Sequence, residues 1–207
     1  MHAVEVLILQ HPLEVDNAKG SARLLQLSLP HSRMVTGEVF AGPELQALLT
    51  APCPAPAAAH SRKHAILLYP DPPPDQTRGL PVPPVLAPAL MLEPSQLRLI
   101  VLDGTWRKSR KMLCLNPLLQ QLPRLALRDL PASHYLIRKA HRPDQRSTLE
   151  ATCAALAQLE GDSAKFQPLL AAFDGFVAQQ SRRAAAQAAD GEILRAEMQN
   201  SLPDSYL

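Results

Sequence analysis

The feature of this sequence that most constrains its fold is a series of short, mostly apolar runs of strand length, separated by segments of helical pattern. The clearest run is Leu97–Leu102 (LRLIVL), and Val4–Leu9 and Ala65–Tyr69 are similar in length and composition. Such runs are typical of strands that are buried on both faces. Strands that alternate with helices predict an α/β domain with a largely parallel sheet.

The segments between these runs predict the helices and the extent of the domain. Two further short strands are expected at Leu125–Leu127 and Tyr135–Ile137. Because a chain of 207 residues suits a single core, we expect one domain over residues 1–180 and a C-terminal helical tail over residues 181–207. The predicted helices cover about Asn17–Leu27, Pro43–Leu49, a basic stretch that ends near Leu115, Thr148–Leu159, Phe166–Gln180 and a surface helix over Ser181–Asn200.

Residues 70–94 contain nine of the 21 prolines of the chain. Each proline fixes φ and lacks a backbone N–H, so this density excludes regular structure over most of the segment. Long irregular connections in compact domains are often functional or disordered. The sequence therefore predicts an irregular loop between the second and third apolar runs.

Composition argues against several classes of protein. The cysteines Cys53, Cys114 and Cys153 lie far apart, so neither a zinc module nor a disulfide framework is expected. The first residues lack a signal-peptide pattern, and no uncharged apolar run reaches membrane-spanning length. We therefore expect a cytoplasmic protein without membrane association. The net charge of only +2 does not by itself indicate nucleic-acid binding.

The segment Asp103-Gly104-Thr105-Trp106 follows the clearest strand directly and includes the only tryptophan of the sequence. Ligands of parallel sheets bind outside the carboxyl ends of the strands, which makes this segment a candidate site. A purely structural interpretation is also open: Asp103 or Thr105 caps the next helix, Gly104 makes the turn and Trp106 lies in the core.

A second candidate segment is Ser147-Thr148-Leu149-Glu150. Ser147 and Glu150 have the spacing of a capping box at the start of a helix. Because the N–H groups of a helix N-terminus also attract anions, this segment could bind the carboxylate of a cofactor that bears an amino acid. The sequence leaves both interpretations open.

Positive charge is concentrated between Asp103 and Arg146. Ten lysines and arginines face only three aspartates over these 44 residues, whereas the whole chain is nearly neutral. Such a cluster is suited to phosphate contacts with a nucleic acid, although a solvated surface would look the same. The cations are Arg107, Lys108, Arg110, Lys111, Arg124, Arg128, Arg138, Lys139, Arg142 and Arg146.

His11-Pro12-Leu13-Glu14 follows the first strand and is a further candidate, although its histidine could simply belong to a turn that ends the strand.

Together these segments, in this order, resemble the DTW-domain family, which is named for an Asp-x-Thr-Trp motif. Within that family the resemblance is to the tRNA-uridine aminocarboxypropyltransferases, and it extends over about residues 4–180. The motifs are His11-Pro12-x-Glu14, Leu68-Tyr69-Pro70, Asp103-Gly104-Thr105-Trp106, Tyr135-x-x-Arg138-Lys139 and Ser147-Thr148-x-Glu150-Ala151.

The resemblance implies S-adenosyl-L-methionine as donor, tRNA as substrate and a SPOUT-like α/β fold with flanking helices and a deep trefoil knot. It implies transfer of the 3-amino-3-carboxypropyl group to N3 of a uridine, with release of methylthioadenosine. Many relatives carry an N-terminal cysteine cluster that looks zinc-binding. This chain begins after that point, so no metal is expected here.

The resemblance and the residue chemistry together predict specific roles. Asp103 is the first candidate to accept or orient the N3 proton, and Glu150 is the second. The residues expected to bind the cofactor are Leu68, Leu102, Thr105, Trp106, Tyr135, Leu136, Ser147 and Thr148. Those expected to bind RNA are Arg107, Lys108, Arg110, Lys111, Arg138, Lys139 and Arg142.

Two other functions are compatible with the same sequence features. A SPOUT-type RNA methyltransferase would share the fold and the donor, and would release S-adenosylhomocysteine. A non-catalytic RNA-binding module would keep the basic cluster without a carboxylate beside a cofactor pocket. No obligate protein partner is implied.

Overall fold

The computed structural model describes residues 2–16, 20–51, 62–70, 81–127 and 146–200, with side chains described as far as Arg183. The strands are β1 (Glu5–Gln10), β2 (Ser32–Thr36), β3 (His64–Leu68), β4 (Leu97–Asp103) and β5 (Arg124–Leu125). The α-helices are α1 (Ser21–Ser28), α2 (Gly42–Thr50), α3 (Trp106–Leu115), α4 (Pro117–Gln120), α5 (Thr148–Glu160) and α6 (Gln167–Asn200). Short 3-10 helices cover Pro12–Glu14, Pro88–Leu92, Pro94–Gln96 and Ala164–Phe166.

The described strands form one sheet in the order β2-β1-β4-β3-β5, and every neighbouring pair is parallel. The central strand β4 is buried along its whole length. Helix α1 connects β1 to its neighbour β2, α2 lies between β2 and β3, and α3 and α4 lie between β4 and β5. A parallel sheet requires such crossover connections. The predicted α/β fold with a largely parallel sheet is confirmed, and the five described strands end at one carboxyl edge.

Helices cover both faces of the sheet, which explains why the strand sequences are apolar almost throughout. Successive side chains of a strand point to opposite faces. Val6 and Ile8 of β1 belong to a core with α1, α5 and α6. Leu7 and Leu9 belong to a second core with α2, α3 and α4. Each fully buried side chain of this size contributes about 1.5–3 kcal/mol.

The strand β2 was not predicted from the sequence. None of its residues Ser32–Thr36 is fully buried, because β2 is an edge strand. The segment therefore lacks the apolar run that marks the other strands, and its pairing with β1 makes it a strand. The helix α4 was also missed, although Pro117 lies in its first turn, a position that proline favours.

The observed bounds of several other elements differ from the predicted ones by a few residues. Helix α1 begins at Ser21, four residues after the predicted start, and residues 17–19 lie outside the described part. Strand β5 pairs only over Arg124–Leu125, and the predicted strand Tyr135–Ile137 lies outside the described residues. The two predicted C-terminal helices form one continuous helix, α6. The domain boundary at residue 180 falls within that helix and stays a prediction.

The described part of the proline-rich segment 70–94 is largely irregular, as predicted. Between Pro81 and Gln96, only two short 3-10 helices occur, and both begin at a proline. Strand β4 begins immediately afterwards. The course of residues 128–145 lies outside the described ranges, so the knot implied by the resemblance also stays a prediction.

A buried ion cluster lies at the amino end of the central strand pair. Glu5 of β1 is paired in register with Arg98 of β4, and its carboxylate accepts hydrogen bonds from the Arg98 guanidinium. Lys63 Nζ lies 3.1 Å from the other carboxylate oxygen. Burial alone would raise the pKa of Glu5, but the bonds from Arg98 and then Lys63 outweigh it and lower that pKa. The cluster stabilises the parallel register of β1 and β4.

We predict that Glu5→Gln destabilises the protein by about 3–5 kcal/mol, the range found when one partner of a buried ion pair is removed. Chemical denaturation at neutral pH measures this change. Because the pKa of Glu5 is lower in the folded state, its contribution is complete above the unfolded pKa and is lost as pH falls through the folded value. The variant should therefore lose less stability than the wild type on acidification.

Glu44→Gln serves as the control, because Glu44 is exposed in the first turn of α2. It should change stability by less than about 0.5 kcal/mol. Equal effects of the two substitutions would contradict a stabilising role for the cluster.

Candidate active site

Two polar residues meet at the carboxyl edge, where β1 and β4 end. Gln10 and Asp103 are register partners and the last residues of their strands. The His11 amide donates to the Asp103 carbonyl oxygen at 2.9 Å, so the strand pairing continues one residue further. The two motifs that the sequence places 92 residues apart are therefore in direct contact.

The Asp103 carboxylate is buried, with 6% of the residue exposed, and it links three elements. Its Oδ2 accepts a hydrogen bond from Gln10 Nε2 at 3.0 Å, and its Oδ1 accepts one from the Thr148 hydroxyl at 2.7 Å. An ionised carboxylate has about four lone-pair sites, so these two bonds leave acceptor capacity free. The arrangement orients a carboxylate that can still accept further hydrogen bonds.

The helix after Asp103 is capped by Thr105. Its hydroxyl accepts from the Lys108 amide at 3.4 Å, whereas Asp103 makes no bond to the first turn of α3. Gly104 lies where space is short: a Cβ there would be 3.1 Å from the Lys108 Cβ. Of the purely structural interpretation, the cap by Thr105 and the tight turn at Gly104 are confirmed, and the cap by Asp103 is wrong.

Trp106 is not a core residue, since 57% of it is exposed. Its ring stacks on Tyr69, with 5.1 Å between centroids and 17° between planes. The Arg124 guanidinium carbon lies 5.4 Å from the Tyr69 centroid. Burial raises the pKa of the Tyr69 phenol, although the charges of Arg124 and Arg110 oppose that shift. Trp106 at the start of α3, Tyr69 just after β3 and Arg124 at the start of β5 thus form a stacked row.

The start of α5 contains the predicted capping box. Ser147 Oγ accepts from the Glu150 amide at 3.1 Å, and Glu150 Oε2 accepts from the Ser147 amide at 2.9 Å. The Leu149 amide donates to Ser21 Oγ at 3.3 Å. Because the Leu149 and Glu150 amides already have partners, the first turn of α5 has fewer free N–H groups for an anion than the sequence suggested.

His11 anchors the turn that follows β1. Its Nδ1 accepts a hydrogen bond from the Leu13 amide at 3.1 Å, so in the neutral ring the proton lies on Nε2. Nε2 then donates to Glu38 Oε1 at 2.8 Å. Lys111 contacts the other Glu38 oxygen at 2.9 Å, and Lys111 and then His11 lower the pKa of Glu38. His11 therefore has defined structural partners.

The basic face of α3 contains two kinds of cation. Lys108 pairs with Glu14 at 2.8 Å, and Lys111 pairs with Glu38. Arg107 and Arg110 are exposed and make no ion pair with a described residue. The cations that the sequence grouped together therefore differ in how freely they can contact a phosphate.

The remaining predicted site residues fall into two groups. Leu68 and Leu102 lie at the carboxyl ends of β3 and β4, where strand-end backbone groups meet the turns. The other predicted residues lie outside the described ranges, and their roles stay predictions: Tyr135, Leu136, Arg138, Lys139 and Arg142.

Sequence reasoning missed Gln10, Glu38 and Arg124 as residues with specific partners or surroundings. Gln10 directly precedes the His11-Pro12 motif, which was the available signal. Arg124 was counted with the surface cations, yet only 7% of it is exposed. In the described ranges, no group of three or more His, Cys, Asp or Glu side chains could hold a metal ion. No described helix is long and apolar enough to cross a membrane.

A cavity of about 400 Å³ lies beside β5. Its size falls in the range of small-molecule sites. It is lined by Pro83, Pro84, Val85, Leu86, Met91, Arg124, Leu125, Ala126 and Gln158.

Comparisons with known proteins identify the family of the chain. The profile of the DTW domain matches residues 1–181. A curated relative, tRNA-uridine aminocarboxypropyltransferase 2 of Drosophila melanogaster, is 28% identical over 162 residues, which cover 75% of this chain and 56% of the relative. The chain thus spans about half the length of that relative. No solved structure matches the chain. Since the profile match covers most of the 207 residues, the chain belongs to the DTW domain family.

Proposed function

We propose that this protein transfers the 3-amino-3-carboxypropyl group of S-adenosyl-L-methionine to N3 of a uridine in tRNA. The family and the name of the curated relative support this reaction. The observation that carries the proposal is the buried, oriented Asp103 carboxylate at the carboxyl edge of the sheet. A weakly acidic imide such as uridine N3 needs such a group to accept or orient its proton.

The described residues at this edge fit the donor. S-adenosylmethionine combines an adenine, a ribose, a sulfonium and an amino-acid end, so its site needs apolar walls and a few polar partners. Trp106 and Tyr69 offer aromatic surface, Thr105 offers a hydroxyl, and Leu68 and Leu102 lie where backbone groups become available. When bound, the donor would supply an activated carbon, since its C–S bond breaks as N3 bonds to that carbon and methylthioadenosine leaves.

We assign the proton-accepting role to Asp103. Gln10 and Thr148 hold one oxygen each, which orients the carboxylate before the RNA arrives. Glu150 is the second candidate, but its Oε2 already accepts from the Ser147 amide in the capping box. In our proposal Glu150 therefore maintains the start of α5 and thereby positions Thr148 against Asp103.

For the tRNA, we propose that Arg107 and Arg110 contact backbone phosphates first, because they are exposed and lack carboxylate partners among the described residues. Lys108 and Lys111 would have to leave Glu14 and Glu38 to do the same. Arg138, Lys139 and Arg142 belong to the same proposed surface. A target uridine within folded RNA must be turned out of its stack to reach Asp103.

The reaction itself is tested by its products. Incubation with unmodified tRNA and S-adenosylmethionine should yield aminocarboxypropyl-uridine and an equal amount of methylthioadenosine, both measured by mass spectrometry. Release of S-adenosylhomocysteine would instead identify a methyltransferase. Binding of tRNA without either product would favour a non-catalytic module.

The role of Asp103 is tested by Asp103→Asn. Loss of the proton acceptor should reduce turnover by about 10²-fold or more. The fold and the donor affinity should survive, because an amide can keep hydrogen bonds to Thr148 and Gln10. Steady-state kinetics and calorimetry measure these quantities. Asp174→Asn on the exposed face of α6 is the matched control. Turnover near the wild-type value in Asp103→Asn would remove Asp103 from the mechanism.

The RNA surface is tested by replacing Arg107 and Arg110 together with alanine. Log affinity for tRNA falls with log salt by about 0.7–0.9 per phosphate neutralised, so the slope should decrease by roughly one to two. The exposed pair Arg182 and Arg183 on α6 supplies a control of equal charge. The idea fails if both double variants bind tRNA with the same affinity and salt slope.

A further inference from the structure

An apolar turn projects from the carboxyl edge of the sheet beside Asp103. Leu13 and Val15, in and just after the 3-10 helix Pro12–Glu14, are 75% and 53% exposed, whereas Glu14 between them is buried. Single exposed apolar residues are common on protein surfaces, so exposure alone does not indicate a function. The position of this turn and the contacts that hold it distinguish Leu13 from such residues.

The backbone of the turn is fixed by its own hydrogen bonds. The Leu13 amide donates to His11 Nδ1 at 3.1 Å, and the Glu14 amide donates to the His11 carbonyl oxygen at 2.9 Å. Pro12 has a fixed φ, and its carbonyl oxygen accepts from the Val15 amide at 3.3 Å. A side chain on such a turn loses little freedom when it contacts a partner, so more of the contact energy contributes to affinity.

Two contacts place the turn between the candidate catalytic carboxylate and the basic helix. On one side, the His11 amide is bonded to the Asp103 carbonyl oxygen. On the other side, the Glu14 carboxylate lies 2.8 Å from Lys108 Nζ in α3. Because Leu13 lies between His11 and Glu14, it is exposed at the rim of the candidate site, close to the start of α3.

The surface beside Leu13 favours a nucleic acid as its partner. Arg107 and Arg110 of α3 are exposed and make no ion pair with a described residue, which suits them to phosphates. An apolar side chain does not bind phosphate, but it packs well against the faces of unstacked bases. Proteins that open a base stack frequently insert an apolar side chain into it.

A uridine that turns out of its stack to reach Asp103 leaves a gap, and an apolar side chain at the rim of the site can fill that gap. We propose that Leu13 packs against the base next to the target uridine, in the place that the uridine leaves. This role rests on the proposed function and adds to it a residue that keeps the uridine turned out. Leu13 is a positioning residue, since it touches no reacting atom.

Leu13→Ala tests this contact in the full chain. The variant should lower kcat/KM for unmodified tRNA by about 5-fold to 50-fold, the scale for losing a few buried methyl and methylene groups. Its Tm and its affinity for S-adenosylmethionine should stay at the wild-type values, because Leu13 is exposed in the free protein. The salt slope of tRNA binding should stay as well, because an apolar contact releases no counterion. Leu13→Met keeps the apolar bulk and should restore most of the activity.

A fluorescent base reports on the stack directly. The modified uridine is located in the wild-type product by RNase digestion and mass spectrometry, and 2-aminopurine replaces each neighbouring base in turn. Binding of the wild type should raise the emission at one of these positions, because the uridine leaves the stack there. Saturating Leu13→Ala should give a smaller rise, because nothing fills the gap.

Leu27→Ala is the matched control for every measurement. Leu27 is 71% exposed and lies near the end of α1, which runs from the carboxyl end of β1 to the start of β2. It is therefore an equally exposed leucine near the opposite edge of the sheet, and its loss should leave activity and emission unchanged.

Every other result overturns the inference. Wild-type activity and emission in Leu13→Ala, or an equal loss in Leu27→Ala, would leave Leu13 without a role at the RNA. Weaker binding of S-adenosylmethionine would assign Leu13 to the donor site, and a lower Tm would make it a structural residue. A wild type that forms no aminocarboxypropyl-uridine would refute the proposed function itself, whereas an active wild type without an emission change refutes this inference alone.

Discussion

The parallel pairing of β1 with the central strand β4 is the interaction on which the rest of the structure depends. Its register is stabilised at both ends by polar contacts: Glu5 with Arg98 at the amino end, and Gln10 with Asp103 at the carboxyl end. Between them lies a stretch buried on both faces, where a slip of one residue would send each side chain to the wrong core. The same register that closes the two cores therefore places Asp103 beside the turn at His11.

The candidate site at Asp103 is a consequence of how three elements pack together. Its backbone belongs to β4, one oxygen is held by β1 and the other by the start of α5. The α5 helix is in turn placed by its capping box and by the Leu149 contact with Ser21 of α1. A carboxylate held by three elements loses little further freedom when a substrate arrives, which is the property that a preorganised proton acceptor needs.

The cations between Asp103 and Arg146 show that a count along the sequence does not reveal their positions in the structure. By number, ten cations in 44 residues look like one basic surface. In three dimensions Lys108 and Lys111 are paired with carboxylates from distant turns, Arg107 and Arg110 are exposed, and Arg124 is buried against Tyr69. Each group has a different energetic situation, and only the exposed pair Arg107 and Arg110 is proposed to contact phosphates.

The sequence by itself determined the α/β class, the central strands, the capping box at Ser147 and the position of the DTW motif, because these depend on local periodicity and on spacings of a few residues. It missed β2, since an edge strand is defined by its partner and carries no apolar run of its own. Only the tertiary structure decided that Asp103 bonds to Gln10 and Thr148, that Trp106 is exposed on Tyr69, and that Arg124 is buried against Tyr69 without a hydrogen-bond partner among the described residues. These contacts join residues distant in the chain, so they depend on which strands become neighbours, and burial with its electrostatic cost exists only once that packing is formed.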